Sequence, residues 1–322
     1  MSELTVTQDI FKITVPTPFP VGDVNIYLIQ GDVLTLVDAG VKTDEAWGIF
    51  KQQLSELGYR PSDIEQVVLT HHHPDHVGLL DYLPQEVPVI GHPLNEPWIS
   101  RDPQFFERHT NFFMELFVQS GIDPVFLKAF EKVENPLRFS CHRSLTSTVV
   151  EGGKIHGLPE WSIIETPGHA QSHIILYRKR DGLAIGGDHL LEKISPNPLL
   201  EPSPNEGSAR PKPQVQYNHS LKKLFALDIS RVVTGHGEDV LDAHNLINKR
   251  LRRQEERAFS VLEMLRNNPM TAFETCKQLF PSVYQKELVL TMSETIGQLD
   301  FLEELGEIKI DTTNEKFVYY VK

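Results

Sequence analysis

The sequence predicts a layered α/β fold, followed by a smaller module of helices and a terminal hairpin. Two observations carry this prediction. Short apolar strands alternate with amphipathic helices along most of the chain, which is the pattern of stacked sheet and helix layers. In addition, 40% of the 322 residues are hydrophobic, enough for one large core or for a main domain with an appendage.

The first part of the chain reads as strands with one clear helix between them. Gly31-Asp32 is a hairpin turn signal between two apolar runs. Thr43 can cap a helix whose apolar residues recur at helical spacing until Gly58 ends it. The predicted strands are 10–15, 24–29, 33–37, 67–69 and 87–90, and a second, short helix is predicted at 77–83.

An insert rich in phenylalanine spans about residues 95–143 and reads as two helices broken at 121–124. Two interpretations stay open for it: a helix pair that packs on its own core, or a wall of the substrate pocket. Strands resume at 147–150, 161–165, 173–177, 183–187 and 232–234. The loop 195–213 carries six prolines, and a loop of that length is usually functional or mobile.

The last part of the chain has the element order of a winged-helix module. We predict a catalytic domain at 1–245, then a linker helix and a winged-helix-like domain at 246–322. From Glu255 onward there are twelve acidic and seven basic residues, which disfavours binding to nucleic acid and favours packing or dimerisation. The one basic cluster, Lys249–Arg253, either contacts an anionic substrate or forms a solvated helix face.

Composition indicates a cytoplasmic globular protein. The formal charge of −13 argues against a surface for general nucleic-acid binding. Cys141 and Cys276 form no CxxC motif and suit a reducing compartment. We see no signal peptide and no apolar run of about 18 residues that could span a membrane.

The segment Thr70-His71-His72-His73-Pro74-Asp75-His76 directly follows a predicted buried strand. In an extended loop, residues two apart can converge on one ion. His71 and His73 can therefore share one metal while Asp75 and His76 reach a second. Imidazole together with carboxylate suits zinc, and also iron or manganese.

One loop cannot saturate two ions, so further ligands are expected elsewhere, each just after a strand. Three candidates meet this condition: His169, Asp188 and His236. A glycine lies next to or close before each of them and lets the backbone approach closely. Ligands at several strand ends are what a shared site at one sheet edge requires.

These motifs together resemble the metallo-β-lactamase superfamily over roughly residues 10–240. The signature HxHxDH is present as His71-x-His73-x-Asp75-His76, the segment Leu36-Val37-Asp38-Ala39-Gly40 matches its early motif, and the later His, Asp and His motifs match His169, Asp188 and His236. The resemblance implies a four-layer αβ/βα metallo-β-lactamase sandwich with a binuclear metal site at one edge. The C-terminal region resembles the winged-helix appendage of some members.

The resemblance also implies roles for individual residues. The first ion is assigned to His71, His73 and His169, the second to Asp75, His76 and His236, and Asp188 bridges them. A bridging hydroxide would attack the substrate, and Asp75 is a candidate for proton transfer. Asp38 is expected behind the ligands, orienting a histidine. The cofactors are two divalent ions, zinc first, with iron or manganese as alternatives.

Other histidines near these motifs have simpler explanations. His72 occupies a variable position of the signature and is expected to point away from the metals. For His92, His173 and His189 we favour structural roles over contact with substrate.

The predicted function is hydrolysis of an ester, thioester or lactone, with a small molecule as partner and a homo-oligomer as an open alternative. The alternatives are a metal-dependent phosphodiesterase or ribonuclease, whose local support is Lys249–Arg253, and an iron-dependent redox enzyme. Fold and metals alone do not identify the substrate.

Overall fold

The computed structural model describes residues 4–126 and 137–322. Seven strands form the first sheet in sequential order, antiparallel up to β4 and parallel from β4 onward. They are β1 (Thr5–Thr7), β2 (Ile10–Val15), β3 (Val24–Gln30), β4 (Leu34–Val37), β5 (Gln66–Val68), β6 (Val89–Gly91) and β7 (Ser147–Thr148).

The second sheet has four strands in the order β11-β10-β9-β8. They are β8 (Trp161–Glu165), β9 (Ile174–Arg178), β10 (Leu183–Ile185) and β11 (Arg231–Val233). The pair β10 and β11 is parallel, so both strands end at the same edge of the sheet. A separate antiparallel hairpin, β12 (Ile308–Asp311) and β13 (Val318–Val321), lies at the C-terminus as predicted.

The described helices follow the predicted pattern with two differences. They are α1 (Asp44–Glu56), α2 (Pro74–Val77), α3 (Glu96–Ile99), α4 (Pro103–Gln119), α5 (Pro213–Phe225), α6 (Ala243–Asn267), α7 (Ala272–Leu279) and α8 (Leu288–Glu304). Thr43 caps α1 as expected, accepting a hydrogen bond from the Ala46 N–H. The sequence did not predict α5, and the helix expected at 77–83 is instead α2 followed by a 3-10 turn, Gly78–Tyr82. The second helix predicted for the insert, which includes Phe130, lies largely outside the described residues.

Three apolar clusters separate four layers, helix on sheet on sheet on helix. The strand β3 shows this best, because Ile26 and Leu28 face the cluster that contains Phe50 of α1, whereas Ile29 faces the cluster between the two sheets. In the second sheet, Leu176 of β9 faces the same inter-sheet cluster, while alternate residues face α5 and α6. The fold is therefore the four-layer αβ/βα sandwich that the sequence implies.

A fourth apolar cluster joins the insert to the C-terminal region. Phe113 and Phe117 of α4 pack with Leu262 of α6 and with Leu299 of α8. Every residue from 291 to 300 on α8 is buried, and the helix packs against α5, α6 and α7. The insert helix α4 therefore does not pack on a core of its own.

Within residues 4–126 and 137–322, none of the helices combines the length and apolar character needed to cross a bilayer.

Candidate metal centre

Loops after four strands bring the predicted ligands together at one edge of the sandwich. The histidine segment follows β5, and the other three ligands follow β8, β10 and β11. Five of the seven side chains are buried; His73 and His169 retain partial exposure and so lie on the accessible side of the centre. The seven residues are His71, His73, Asp75, His76, His169, Asp188 and His236.

Three imidazoles form the first group of donors. His73 Nδ1 lies 3.0 Å from His71 Nε2 and 3.0 Å from His169 Nε2. Ligand atoms about 2.1 Å from a tetrahedral ion lie roughly 3.4 Å from one another. The spacing of these three nitrogens is close to that value, so one ion fits among them with a small outward movement of the rings.

The second group combines imidazole with carboxylate. His236 Nε2 lies 3.3 Å from Asp75 Oδ2, and the donor atoms of Asp75, His76 and His236 all lie within 4.8 Å of one another. Such mixed nitrogen and oxygen sets bind zinc, iron or manganese. This second group is therefore chemically different from the first.

Asp188 lies between the two groups. Its Oδ1 is 3.4 Å from His76 Nε2, and its Oδ2 is 3.3 Å from His236 Nε2 and 3.7 Å from His169 Nε2. One carboxylate thus reaches nitrogens of both groups. This is the arrangement that a bridging ligand requires.

The hydrogen bonds on the far side of the rings set which nitrogen faces the centre. His76 Nδ1 donates to Asp38 Oδ2 at 2.8 Å, His236 Nδ1 to the Asp23 carbonyl at 2.7 Å and His169 Nδ1 to the Asn197 carbonyl at 3.2 Å. Since each Nδ1 donates on the far side, Nε2 is the nitrogen of each ring that faces the centre and would offer its lone pair to a cation.

Orphaned polar atoms supply an independent test of the fit. His76 Nε2, His236 Nε2 and Asp188 Oδ1 are buried and have no hydrogen-bond partner among the described residues. Leaving such atoms unsatisfied is costly, and metal coordination is the interaction that satisfies lone pairs converging from several elements. The donor set therefore fits two divalent cations.

Asp38 holds the inner end of the histidine segment. Its carboxylate accepts hydrogen bonds from the Thr70 N–H and hydroxyl, both at 2.7 Å, in addition to the one from His76. Thr70 Oγ1 also lies 3.0 Å from His71 Nδ1. The backbone of Asp38 is in the left-handed region with φ of 64°, a conformation that aspartate tolerates better than most residues. Asp38 thus orients a ligand of each group, His76 directly and His71 through Thr70.

The electrostatics of the two groups differ. Burial, with the neighbouring imidazoles, holds the pKa of His71 and His73 well below the ordinary value, so both are neutral. Burial also lowers the pKa of His76, but the Asp188 and Asp38 carboxylates outweigh it and raise this pKa well above its usual range. Against the same burial, Asp188 raises the pKa of His236 to about 10. The carboxylates thus make the second group a site that favours a positive charge.

Gly235 shows how closely the backbone approaches this site. A Cβ at this position would lie 2.1 Å from Asp188 Oδ1 and 2.8 Å from His76 Cε1. No side chain fits there, so the glycine of the Thr234-Gly235-His236 motif is required by space rather than by its φ angle.

Three other histidines are hydrogen-bonded within the scaffold, whereas both ring nitrogens of His189 are buried without a partner among the described residues. His72 points away from the donors, shares a 2.8 Å hydrogen bond with Ser172 Oγ and stacks on Trp98. His173 Nε2 accepts the Asp188 N–H at 3.1 Å, and His92 Nδ1 accepts the Leu94 N–H at 3.2 Å.

Sequence reasoning missed several residues that support the centre. Thr70, Asp23 and Asn197 act through hydrogen bonds to ligand histidines, two of them through backbone carbonyls. A carbonyl is present at every residue, so no sequence signal could have identified Asp23 or Asn197. Thr70 immediately precedes His71, and its hydroxyl was the one available signal.

Comparison with known sequences agrees with this geometry. A family model described as "Metallo-beta-lactamase superfamily" matches residues 19–236. "Probable metallo-hydrolase YqjP" of Bacillus subtilis (strain 168) is 50% identical over 297 residues, which is 92% of this chain and 93% of the relative.

Solved structures share the whole fold. A metallo-beta-lactamase family protein from Thermus thermophilus has a TM-score of 0.82 at 27% identity, covering 99% of this chain and 100% of that chain. A beta-lactamase domain protein from Burkholderia ambifaria has a TM-score of 0.79 at 20% identity, covering 98% and 93%, and shares the fold. The likeness therefore includes the C-terminal helices and hairpin.

Proposed function

The chain belongs to the metallo-β-lactamase superfamily, and from this we propose that it is a metal-dependent hydrolase that cleaves an ester, thioester or lactone. One observation carries the hydrolase assignment. A single buried carboxylate, Asp188, reaches Nε2 atoms of both donor groups and would contribute to the binding of two cations. Paired cations of this kind are suited to hydrolysis.

The seven residues would bind the metal ions, and one of them would also transfer a proton. His71, His73 and His169 would hold one ion, Asp75, His76 and His236 the other, and Asp188 both. When bound, two divalent ions supply a hydroxide near neutral pH and stabilise the negative charge that develops on the substrate oxygen. We expect zinc, because imidazoles make up five of the seven side chains in the donor set. To Asp75, the carboxylate beside His236, we assign transfer of a proton to the leaving group.

Two features favour an acyl substrate over nucleic acid. Residues 291–300 of α8, the helix that would read a groove in a winged-helix protein, are buried against the rest of the chain. In the basic cluster Lys249–Arg253, Arg250 is 4% exposed and donates to the carbonyls of Leu191 and Ile194. Arg250, one of the four cations of the cluster, is therefore bonded within the fold and is not available to phosphate groups. The cluster thus does not support binding of nucleic acid.

We place the reaction in the cytoplasm with a small-molecule substrate. Cys141 and Cys276 are free and buried, which suits a reducing compartment. Self-association remains a prediction.

A substrate panel with metal removal tests the proposal. The purified protein is assayed with an aryl thioester, an aryl ester and bis(p-nitrophenyl) phosphate, before and after chelation and after zinc is restored. We expect acyl turnover that is lost on chelation and recovered with zinc, with about two ions per chain by elemental analysis. Turnover of the phosphodiester alone would overturn the acyl assignment, and acyl turnover that survives complete metal removal would overturn the metal dependence.

A further inference from the structure

A recess opens one ring away from the metal centre. His72 lies between them, because its ring is 5.0 Å from that of His73 on one side and stacks at 4.2 Å on Trp98 on the other. Trp98 lines the recess, whose interior has room for about 50 Å³ and whose mouth is open to solvent. The helices α3 and α4 form one wall, and residues 201–204 of the proline-rich loop form the other.

The walls of the recess are mostly apolar. Trp98 and Phe105 meet edge to face with ring centroids 4.8 Å apart, and Pro202 and Pro204 lie on the loop side. Flat and rigid walls of this kind favour an aryl or short acyl body, whose burial stabilises binding without ordering flexible side chains. The described part of the insert thus forms one wall of the recess.

Arg108 of α4 brings a cation to this apolar wall. Its Nε is buried without a hydrogen-bond partner, and no carboxylate of the described residues lies within 4.0 Å of its guanidinium. The guanidinium of Arg108 lies 5.9 Å from the centre of the Phe105 ring, whereas Arg143 and Arg250 donate through their terminal nitrogens to backbone carbonyls. In a chain with 44 acidic and 31 basic side chains, an arginine without an acidic partner on a pocket wall points to an anionic ligand.

Glu201, on the loop side of the recess, does not cancel this charge. The side chain is 6% exposed, and Oε1 accepts the Gln171 N–H at 2.8 Å. Burial raises its pKa to about 8, so the carboxyl is mostly protonated at neutral pH. A protonated carboxyl can itself donate a hydrogen bond to an anion.

We propose that this recess binds a carboxylate joined to an apolar body, the acyl or aryl end of the substrate, with Arg108 pairing the carboxylate. The inference rests on the proposed function, because the bound group would belong to an ester-type substrate whose scissile carbonyl lies at the neighbouring metal centre. It narrows the substrate class to esters, thioesters or lactones that carry a second, free acid.

Fluorescence of Trp98 tests the inference without any turnover. Metal-loaded protein is titrated with 3-phenylpropionate, with the neutral 3-phenylpropan-1-ol and with 3-phenylpropylammonium, and the variant Trp98→Phe defines which part of the signal belongs to the recess. We expect the carboxylate to bind at least tenfold more tightly than the alcohol, because charge-assisted hydrogen bonds are stronger than neutral ones. The ammonium should bind most weakly.

Two arginine variants identify the anchor. Arg108→Met should abolish the preference for 3-phenylpropionate, while Arg253→Met, which removes an exposed arginine of α6, should leave it unchanged. A preference that survives Arg108→Met would show that the carboxylate binds elsewhere, such as at the metals, and would overturn the inference. Tightest binding of the ammonium would overturn it as well.

Failure of this inference can be distinguished from failure of the proposed function. Arg108-dependent binding without turnover of any acyl substrate would support carboxylate binding in the recess and overturn the proposed hydrolysis. Acyl turnover without a preference for the carboxylate probe would overturn carboxylate binding in the recess and leave the proposed hydrolysis standing.

Discussion

The two halves of the metal centre are built from different donors and are supported from different parts of the chain. The first half presents three imidazoles, of which His71 and His73 are held neutral by burial. The second half sets Asp75 beside His236, whose pKa the carboxylates raise. Asp188 belongs to both halves. Metal binding by the first half therefore depends on nitrogen lone pairs, whereas metal binding by the second half depends on the negative charge of its carboxylates.

The supports of the second half lie within the first sheet and its loops. Asp38, directly after β4, accepts the hydrogen bond of His76, and the Asp23 carbonyl, directly before β3, accepts that of His236. Both positions adjoin strands in the core of the sandwich. This half is therefore anchored to the most rigid part of the fold.

The support of the first half comes from a loop that the C-terminal region holds. The Asn197 carbonyl accepts the hydrogen bond of His169, and the Asn197 side chain donates to the Leu290 carbonyl at 3.0 Å. Ser293 of α8 donates to the Pro198 carbonyl at 2.7 Å and accepts the Leu200 N–H at 3.0 Å. The C-terminal helix thus positions a metal ligand, although it contributes none itself.

Removing the negative charge of Asp188 should have the largest effect on activity, because this carboxylate belongs to both halves. We expect Asp188→Asn to lower kcat/KM by about 10³-fold, since a carboxamide cannot place negative oxygens on both ions. The fold should remain, as judged by circular dichroism. Asp63→Asn, in the exposed 3-10 turn Pro61–Asp63, is the matched control. Retention of most of the activity in the Asp188 variant would contradict the bridging role.

A substitution that weakens mainly the second half should have a smaller effect. Asp38→Asn keeps the shape of the side chain, and asparagine tolerates the positive φ, so the backbone should not move. We expect one of the two ions to bind about 10- to 100-fold more weakly, because the charge that orients His76 is lost. Competition with a chelating dye resolves the two binding steps. Two unchanged dissociation constants would argue against this role of Asp38.

The smallest effect on metal binding is expected for a substitution that weakens the support of His169 in the first half. Ser293→Ala removes two hydrogen bonds to the loop, each worth about 1 kcal/mol. Since only part of this reaches His169, we expect about three- to tenfold weaker binding of the ion that His169 helps to hold, which Asp38→Asn reaches only indirectly, through Thr70 and His71. Thr295→Val is the matched control, because Thr295 donates to the Thr291 carbonyl within the same helix.

In the double variant Asp38→Asn/Ser293→Ala, each binding step should weaken by its own factor. Asp38→Asn acts mainly on the ion of the second half and Ser293→Ala on the ion of the first, and the two side chains share no hydrogen-bond partner, so their effects should add. Equal weakening of the same ion by both single variants would show that the two halves are not supported separately.

Much of this molecule could be predicted from its residues. The strands around the histidine segment, the helix capped by Thr43 and the terminal hairpin follow from periodicity and turn signals, which are local. The helix α5, which the sequence did not predict, begins at Pro213. The segment before it is rich in proline, so the sequence pattern did not indicate where the helix starts. Its buried face is defined by the second sheet, a partner that no local pattern reveals.

The sequence by itself determined which side chains are ligands, because each follows a strand directly and matches a motif of the family, whereas packing of the two sheets brings the loop after β5 to those after β8, β10 and β11. Only the tertiary structure decided which nitrogen of each imidazole faces that edge, since the accepting oxygens of Asp23, Asp38 and Asn197 come from distant segments. It also decided that Arg250 is bonded within the fold and that Arg108 lines a recess beside the centre. Hydrogen bonds and burial depend on packing between distant segments, and spacing along the chain does not encode them.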